Sequence, residues 1–127
     1  MAVATGVRGI QRLKLDDIVA EVRRKQKWSA RQAQEAELWY RRFLEMSFIH
    51  GRRPVYGISE KSDFIWHDHI LSTKRYQRDT QRIFGHYLNH TPGKPPARTR
   101  DSAMDRATQW YTKAYGGPPI DISICCY

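Results

Sequence analysis

Nine consecutive residues concentrate the side chains able to carry a proton or hold a metal: Asp63-Phe64-Ile65-Trp66-His67-Asp68-His69-Ile70-Leu71. On a helix, at about 100° per residue, Asp63, Phe64, His67, Ile70 and Leu71 share one face, while Ile65 and His69 point the other way. His67 and His69 therefore cannot grip one ion from an undistorted helix. The close pair is Asp63 and His67, one turn apart, where a carboxylate accepts from an imidazole and fixes its tautomer, or where both reach one ligand. This reading directs the His67 ring inward. His86 and His90 follow in Gly85-His86-Tyr87-Leu88-Asn89-His90-Thr91-Pro92. If that segment folds back over the Asp63 face, Asp63, His67 and His90, with His86 as a further ligand, offer donors suited to zinc or another first-row divalent ion. The alternative is metal-free: His67 satisfied by Asp63 inside the core, and His90 capping a chain end. On either reading Asp63, Trp66, His67 and His90 form a central polar cluster. The spacing of a His-Glu-x-x-His metalloprotease or a cysteine-based finger is absent.

Two further groups bear chemistry. Lys74, Arg75, Arg78 and Arg82 occupy a helical sector of about 100°, roughly opposite Tyr76, Thr80, Ile83 and Phe84. Such a stripe, helped by Arg52, Arg53, Arg98 and Arg100, tracks phosphates in a nucleic-acid binder, and otherwise is a solvated face. The segment Ile120-Asp121-Ile122-Ser123-Ile124-Cys125-Cys126-Tyr127 begins with the alternation of a half-buried strand. With no sheet expected, it either folds over its own helices or offers Ile120, Ile122, Ile124 and Tyr127 to a partner by strand addition. Cys125 and Cys126 are expected to be reduced, since a vicinal disulfide is strained and no neighbouring cation lowers a thiol pKa.

The elements that must position these groups read as helices. Leu15, Ile18, Val19 and Val22 recur at i, i+3, i+4 and i+7, with Asp16 and Asp17 at the positive end and Arg23, Arg24 and Lys25 at the negative end. Ser29 and Gln32 fit a capping box opening a long helix from Ala30 to about Ile49, with Ala33, Ala36, Trp39, Tyr40, Phe43 and Leu44 as core positions. His50 stands at its negative end. Gly51, Pro54 and Gly57 break the chain, and Ser59 caps a helix over Glu60 to Leu71. Another helix spans about Lys74 to Phe84 and stops at Gly85. A proline-rich connector covers 91–100, and Asp101 or Ser102 opens a last helix containing Trp110 and Tyr111 that ends at Gly116. The expectation is an all-α compact bundle of about five helices: a flexible N-terminal arm over 1–14, a single helical domain over 15–117 and an extended C-terminal tail over 118–127.

The composition agrees. Of 127 residues, 40% are hydrophobic and 12% aromatic, too much packing material for a disordered chain. Lys and Arg number 22 against 13 Asp and Glu, a formal charge of +9, so the partners expected are an acidic protein surface or a polyanion such as nucleic acid. Neither a span of about 18–20 apolar residues nor a secretory leader is present, so a cytoplasmic protein without a membrane partner is expected.

Asp63-x-x-Trp66-His67-x-His69-Ile70-Leu71, followed by Thr73, Tyr76, Phe84-Gly85 and Leu88-x-His90-x-Pro92, resembles the core signature of the glycine-rich domain-containing protein-like family of plants and bacteria. The likeness extends to Tyr40-Arg41-Arg42-Phe43-Leu44 and to Tyr115-Gly116-Gly117-Pro118-Pro119. It implies a compact helical domain. In that family two adjacent histidines usually precede the proline, whereas Asn89-His90 stands here, and an amide is a poor zinc ligand. The glycine-rich stretch is also missing. The leading expectation is a small basic helical binding or assembly module, a component of a larger complex. Its rivals are a metal-dependent enzyme using His67, His90 and Asp63 or His86, and an electrostatic nucleic-acid binder.

Overall fold

A computed structural model describes residues 2–51, 57–90 and 97–123. In chain order these form α1 (Ala2–Gln11), α2 (Asp16–Gln26), α3 (Ala30–His50), β1 (Ile58–Ser59), α4 (Glu60–Leu71), α5 (Thr73–Phe84), α6 (Ala97–Tyr115) and β2 (Ile122–Ser123). The fold is all-α, with six helices among the described residues and one small ribbon.

Helix α2 buries Ile18, Val19 and Val22, as their spacing requires, and ends at Lys27, whose φ of 57° is left-handed. Ser29 and Gln32 make both bonds of the capping box that starts α3: Gln32 N–H donates to Ser29 Oγ at 3.1 Å and Ser29 N–H to Gln32 Oε1 at 2.9 Å. Helix α3 is the spine, packing on α1, α2, α4 and β1 and burying Ala33, Ala36, Tyr40, Phe43 and Leu44. His50 stands in the last turn of α3, as expected, and also stacks on Trp110 with ring centroids 3.5 Å apart.

The arm expected over 1–14 is instead helix α1, and Ile10 and Leu15 are fully buried. Its glycines explain both the error and the outcome. They lower helix propensity, yet they let the helix approach its neighbours: a Cβ on Gly6 would clash with the Phe48 ring, and one on Gly9 would meet Ile83 at 3.4 Å. Arg41 of α3 then clamps the end of α1, donating to Ile10 O at 2.6 Å and Leu13 O at 2.9 Å while pairing with Glu37 at 2.9 Å. Orphan carbonyls at a helix end are thereby satisfied by a charged fork. Helix α6 begins at Ala97 rather than Asp101. A proline ahead of the first turn sacrifices only an N–H that no intrahelical bond needs, so Pro95 and Pro96 precede this helix instead of delaying it.

The alternating tail does find a strand. β2 pairs antiparallel with β1, Ile58 opposite Ser123 and Ser59 opposite Ile122. Ile122 packs against the core, whereas Ile120 is 97% exposed; Ile124, Cys125, Cys126 and Tyr127 lie outside the described residues, as do Arg52, Arg53 and most of the proline connector. The ribbon completes the N-terminus of α4. Ser59 Oγ accepts from Ser62 N–H at 3.3 Å, Lys61 N–H donates to Asp121 Oδ2 at 3.1 Å, and Glu60 N–H donates to Asp121 O at 3.1 Å. Ser59 Oγ in turn donates to Asp121 Oδ2 at 2.9 Å. Two of the first three amide protons of α4 are thus served by a residue some sixty positions later. Replacing Asp121 by Ala removes the carboxylate that accepts from Lys61 N–H and Ser59 Oγ but keeps the main-chain carbonyl bonded to Glu60 N–H; it is expected to cost about 1–2 kcal/mol, the scale of a lost N-cap, seen as a lower urea midpoint and faster amide exchange at Lys61 with α2 unchanged.

Candidate functional site

Helix α4 buries Ser62, Ile65, Trp66 and His69. This i, i+3, i+4, i+7 face is the reverse of the expected one. Phe64 is 43% and Leu71 75% exposed, and the His67 side chain is half-exposed rather than directed inward. Apolar residues occur all round this helix, so apolar periodicity does not choose the inner face. Polar residues with dedicated partners do. Ser62 Oγ donates to Ala36 O at 2.7 Å. His69 lies between Tyr40 of α3 and Asp79 of α5, with Tyr40 Oη 2.7 Å from Nδ1 and Asp79 Oδ2 2.9 Å from Nε2.

The protonation pattern of this chain follows from chemistry. Burial pushes the His69 pKa down, outweighing the contrary pull of Asp79, so the ring is neutral. A carboxylate only accepts, hence Nε2 carries the proton and donates to Asp79, and bare Nδ1 accepts from Tyr40 Oη–H. Burial raises the Tyr40 pKa well above its ordinary value, which keeps the hydroxyl a donor. Three helices are joined by one line of donors and acceptors.

With α4 so rotated, Asp63 and His67 emerge at the edge of the bundle one turn apart. His90 is brought to them from beyond α5. The helix stops at Gly85 in the left-handed conformation, φ 77°, and the following segment is tied back by Tyr76, whose Oη accepts from Trp66 Nε1 at 2.9 Å and donates to Leu88 O at 2.6 Å. The His90 ring rests against Trp66 with centroids 4.2 Å apart. Trp66 is therefore a supporting wall, 2% exposed. His67 Nε2 and His90 Nε2 stand 2.9 Å apart, and the Asp63 carboxylate faces both, Oδ2 at 3.3 Å from His67 and Oδ1 at 3.2 Å from His90. One ligand atom from each residue lies within 4.8 Å of the others. His86 is not among them; its Nδ1 is 3.0 Å from Tyr87 O and its ring lies near Phe84.

The basic stripe of α5 is divided. Arg75 is turned to α2, bonded to Asp17 Oδ2 at 2.6 Å and to Lys14 O, and this guanidinium holds the Asp17 carboxyl below its usual range. Arg78 and Arg82 line a recess against α1, while Lys74 does not. Tyr40, His69 and Asp79 are the residues that sequence reasoning missed. Their signal was available in Ser62-x-x-Ile65-Trp66-x-x-His69, a core spacing with a polar residue at each end.

The model of the UCP032817-like family matches residues 9–115, and the chain belongs to that family. This overturns the resemblance to the glycine-rich domain-containing protein-like family. Among the residues that carried the likeness, Trp66, His69 and Tyr76 are buried, whereas Leu71 is 75% exposed. No curated protein and no solved structure matches the chain.

The His69 chain makes a pH prediction. Its pKa is lowered on folding, so the unfolded chain binds this proton more readily; the stability contributed is complete above the ordinary value near 6.5 and is lost as pH falls from there toward the folded value. Urea midpoints measured from about pH 8 to about pH 5 should fall in the wild type. His69→Gln should be less stable by about 2–3 kcal/mol at neutral pH, with a flatter profile. An equal slope in the two proteins would contradict the assignment.

Proposed function

We propose that this chain is a helical module that binds a divalent first-row metal ion, zinc foremost, through Asp63, His67 and His90. The observation that supports this most is the convergence of three ligand atoms within 4.8 Å of one another. Without an ion the arrangement is awkward. Two Nε2 atoms 2.9 Å apart need one proton between them, and the carboxylate competes for it. Two nitrogens at metal bond lengths of about 2.0–2.1 Å stand about 2.9 Å apart at a right angle and about 3.3 Å at the tetrahedral angle, so occupancy asks for little or no rearrangement. Two imidazoles and a carboxylate suit zinc and leave coordination positions unfilled.

The protein supplies the rigidity. Asp63 and His67 ride on a helix whose rotation is fixed by Ser62, Trp66 and His69, and His90 is seated on Trp66 and tied through Leu88 to Tyr76. Asp63 and His90 are mostly covered, 13% and 10% exposed, whereas His67 is 49% exposed. The unfilled positions therefore open on the His67 side, where water or a donor from a partner completes the shell. A bound ion of this kind would supply Lewis acidity to whatever occupies that side. This reading keeps the binding module expected from the sequence and drops His86 from the ligand set, because His86 turns to the Tyr87 carbonyl.

Protein prepared without an affinity tag and stripped of metal is expected to take up one zinc ion per chain in competition with a chromogenic chelator. Asp63→Asn, His67→Ala and His90→Ala should each weaken uptake by about 10–100-fold, the cost of losing or loosening a ligand, and His86→Ala should leave it unchanged. Binding that is indifferent to all three substitutions, or no stoichiometric binding, would end the proposal.

A further inference from the structure

Between α1 and α5 lies a recess of about 570 Å³ whose lining is dominated by cations. Arg8, Arg12 and Lys14 form one wall, and Arg75, Arg78 and Arg82 the other. The floor is apolar, made by Gly9, Leu13 and Ile83, and one carboxylate, Asp79, reaches it. That carboxylate is already engaged, with Oδ2 2.9 Å from His69 Nε2 and Oδ1 3.5 Å from Arg78 Nη2. Arg8, Arg12, Lys14 and Arg82 have no salt bridge among the described residues, whereas Arg75 is fixed by Asp17 and the Lys14 carbonyl.

The arrangement is costly without a counter-charge. Arg8 and Arg12 are four apart, one turn along the chain, the Arg12 main-chain N–H closing on Arg8 O at 3.0 Å. Arg78 and Arg82 are four apart on α5, and like charges at that spacing repel by about 0.2–0.5 kcal/mol per pair. Two repelling pairs face one another across a concavity, which a fixed anion would relieve. Guanidinium forks bind phosphoryl oxygens two at a time. We infer that this recess binds a small anion carrying two or more phosphoryl groups.

The geometry favours such a molecule over a nucleic acid. The volume lies in the range of small-ligand pockets, about 300–1,000 Å³. The cations converge from two elements on one hollow instead of running along an extended face, and Lys74, which a stripe along α5 would include, is not part of the lining. The recess shares no residue with the Asp63, His67 and His90 cluster, so it stands or falls independently of the metal reading.

Inorganic tripolyphosphate serves as the probe, with a chelator present so that no metal bridges it to the protein, and titration calorimetry as the readout. Saturable binding is expected, tighter than that of sulfate and weakening steeply with salt. Arg12→Gln and Arg82→Gln should each weaken it about tenfold or more, while Lys74→Gln, Arg23→Gln and the His67→Ala variant should stay within about twofold, well inside the effect of one lost charged hydrogen bond. Both arginines are exposed, and circular dichroism checks that the variants fold. Tripolyphosphate that binds no better than sulfate, or equally well to the Arg12 and Arg82 variants, would overturn the inference. So would a single-stranded oligonucleotide that displaces tripolyphosphate, binds far more tightly than it and is weakened by Lys74→Gln as much as by the Arg12 and Arg82 substitutions, which would assign the charge to nucleic acid.

Discussion

Enclosure of one neutral imidazole sets the geometry of this protein. His69 is 1% exposed and hydrogen-bonded on both ring nitrogens, to Tyr40 of the spine and to Asp79 of α5. Removing either partner would orphan a buried polar group, at a cost of about 1–3 kcal/mol, whereas a different rotation of α4 would orphan His69, Ser62 and the Trp66 N–H together. Apolar burial alone would not choose among rotations, because α4 carries Phe64, Ile65, Trp66, Ile70 and Leu71 around its whole circumference. The polar bonds make the choice. Buried polar chains of this sort confer specificity of arrangement more than net stability.

Both candidate sites hang from that choice. With His69 inside, His67 and Asp63 are carried to the rim, where His90 meets them over the Trp66 ring. At the other end of the same chain of bonds, Asp79 reaches the floor of the basic recess. Its charge is shared with His69 and Arg78, so the recess keeps a strong excess of positive charge while the core keeps its acceptor. A single buried network thus separates a nitrogen-and-oxygen donor set from a guanidinium-lined hollow, two environments of opposite electrostatic character on one small domain.

Much of this was legible in the sequence where local physics decides. The Ser29 capping box, the stop at Gly85 and the burial of Ile18, Val19 and Val22 depend on neighbours within a turn or two, and they stand where the pattern put them. Helical spacing pairs Asp63 with His67, but the approach of His90 depends on the path of the chain after Gly85, which residue types and spacing leave open. The inward face of α4 was not legible, since its two faces are about equally apolar and the deciding partners, Ala36, Tyr40 and Asp79, lie on other helices. Helix α1 was lost for the opposite reason: its glycines argue against a helix locally and are required by close packing globally. The tail reads as a strand without a sheet because a two-residue partner, Ile58–Ser59, leaves almost no periodic trace.

The cap that Asp121 provides to α4 carries a consequence for the order in which the molecule forms. On a translating ribosome residues 60–71 emerge well before residue 121, and until then the Glu60 and Lys61 amides have only water to bond. Asp63 stands in that first turn. That turn is therefore completed only by contacts that span some sixty positions of sequence. Long-range closure of this kind slows maturation relative to a bundle built from local contacts alone.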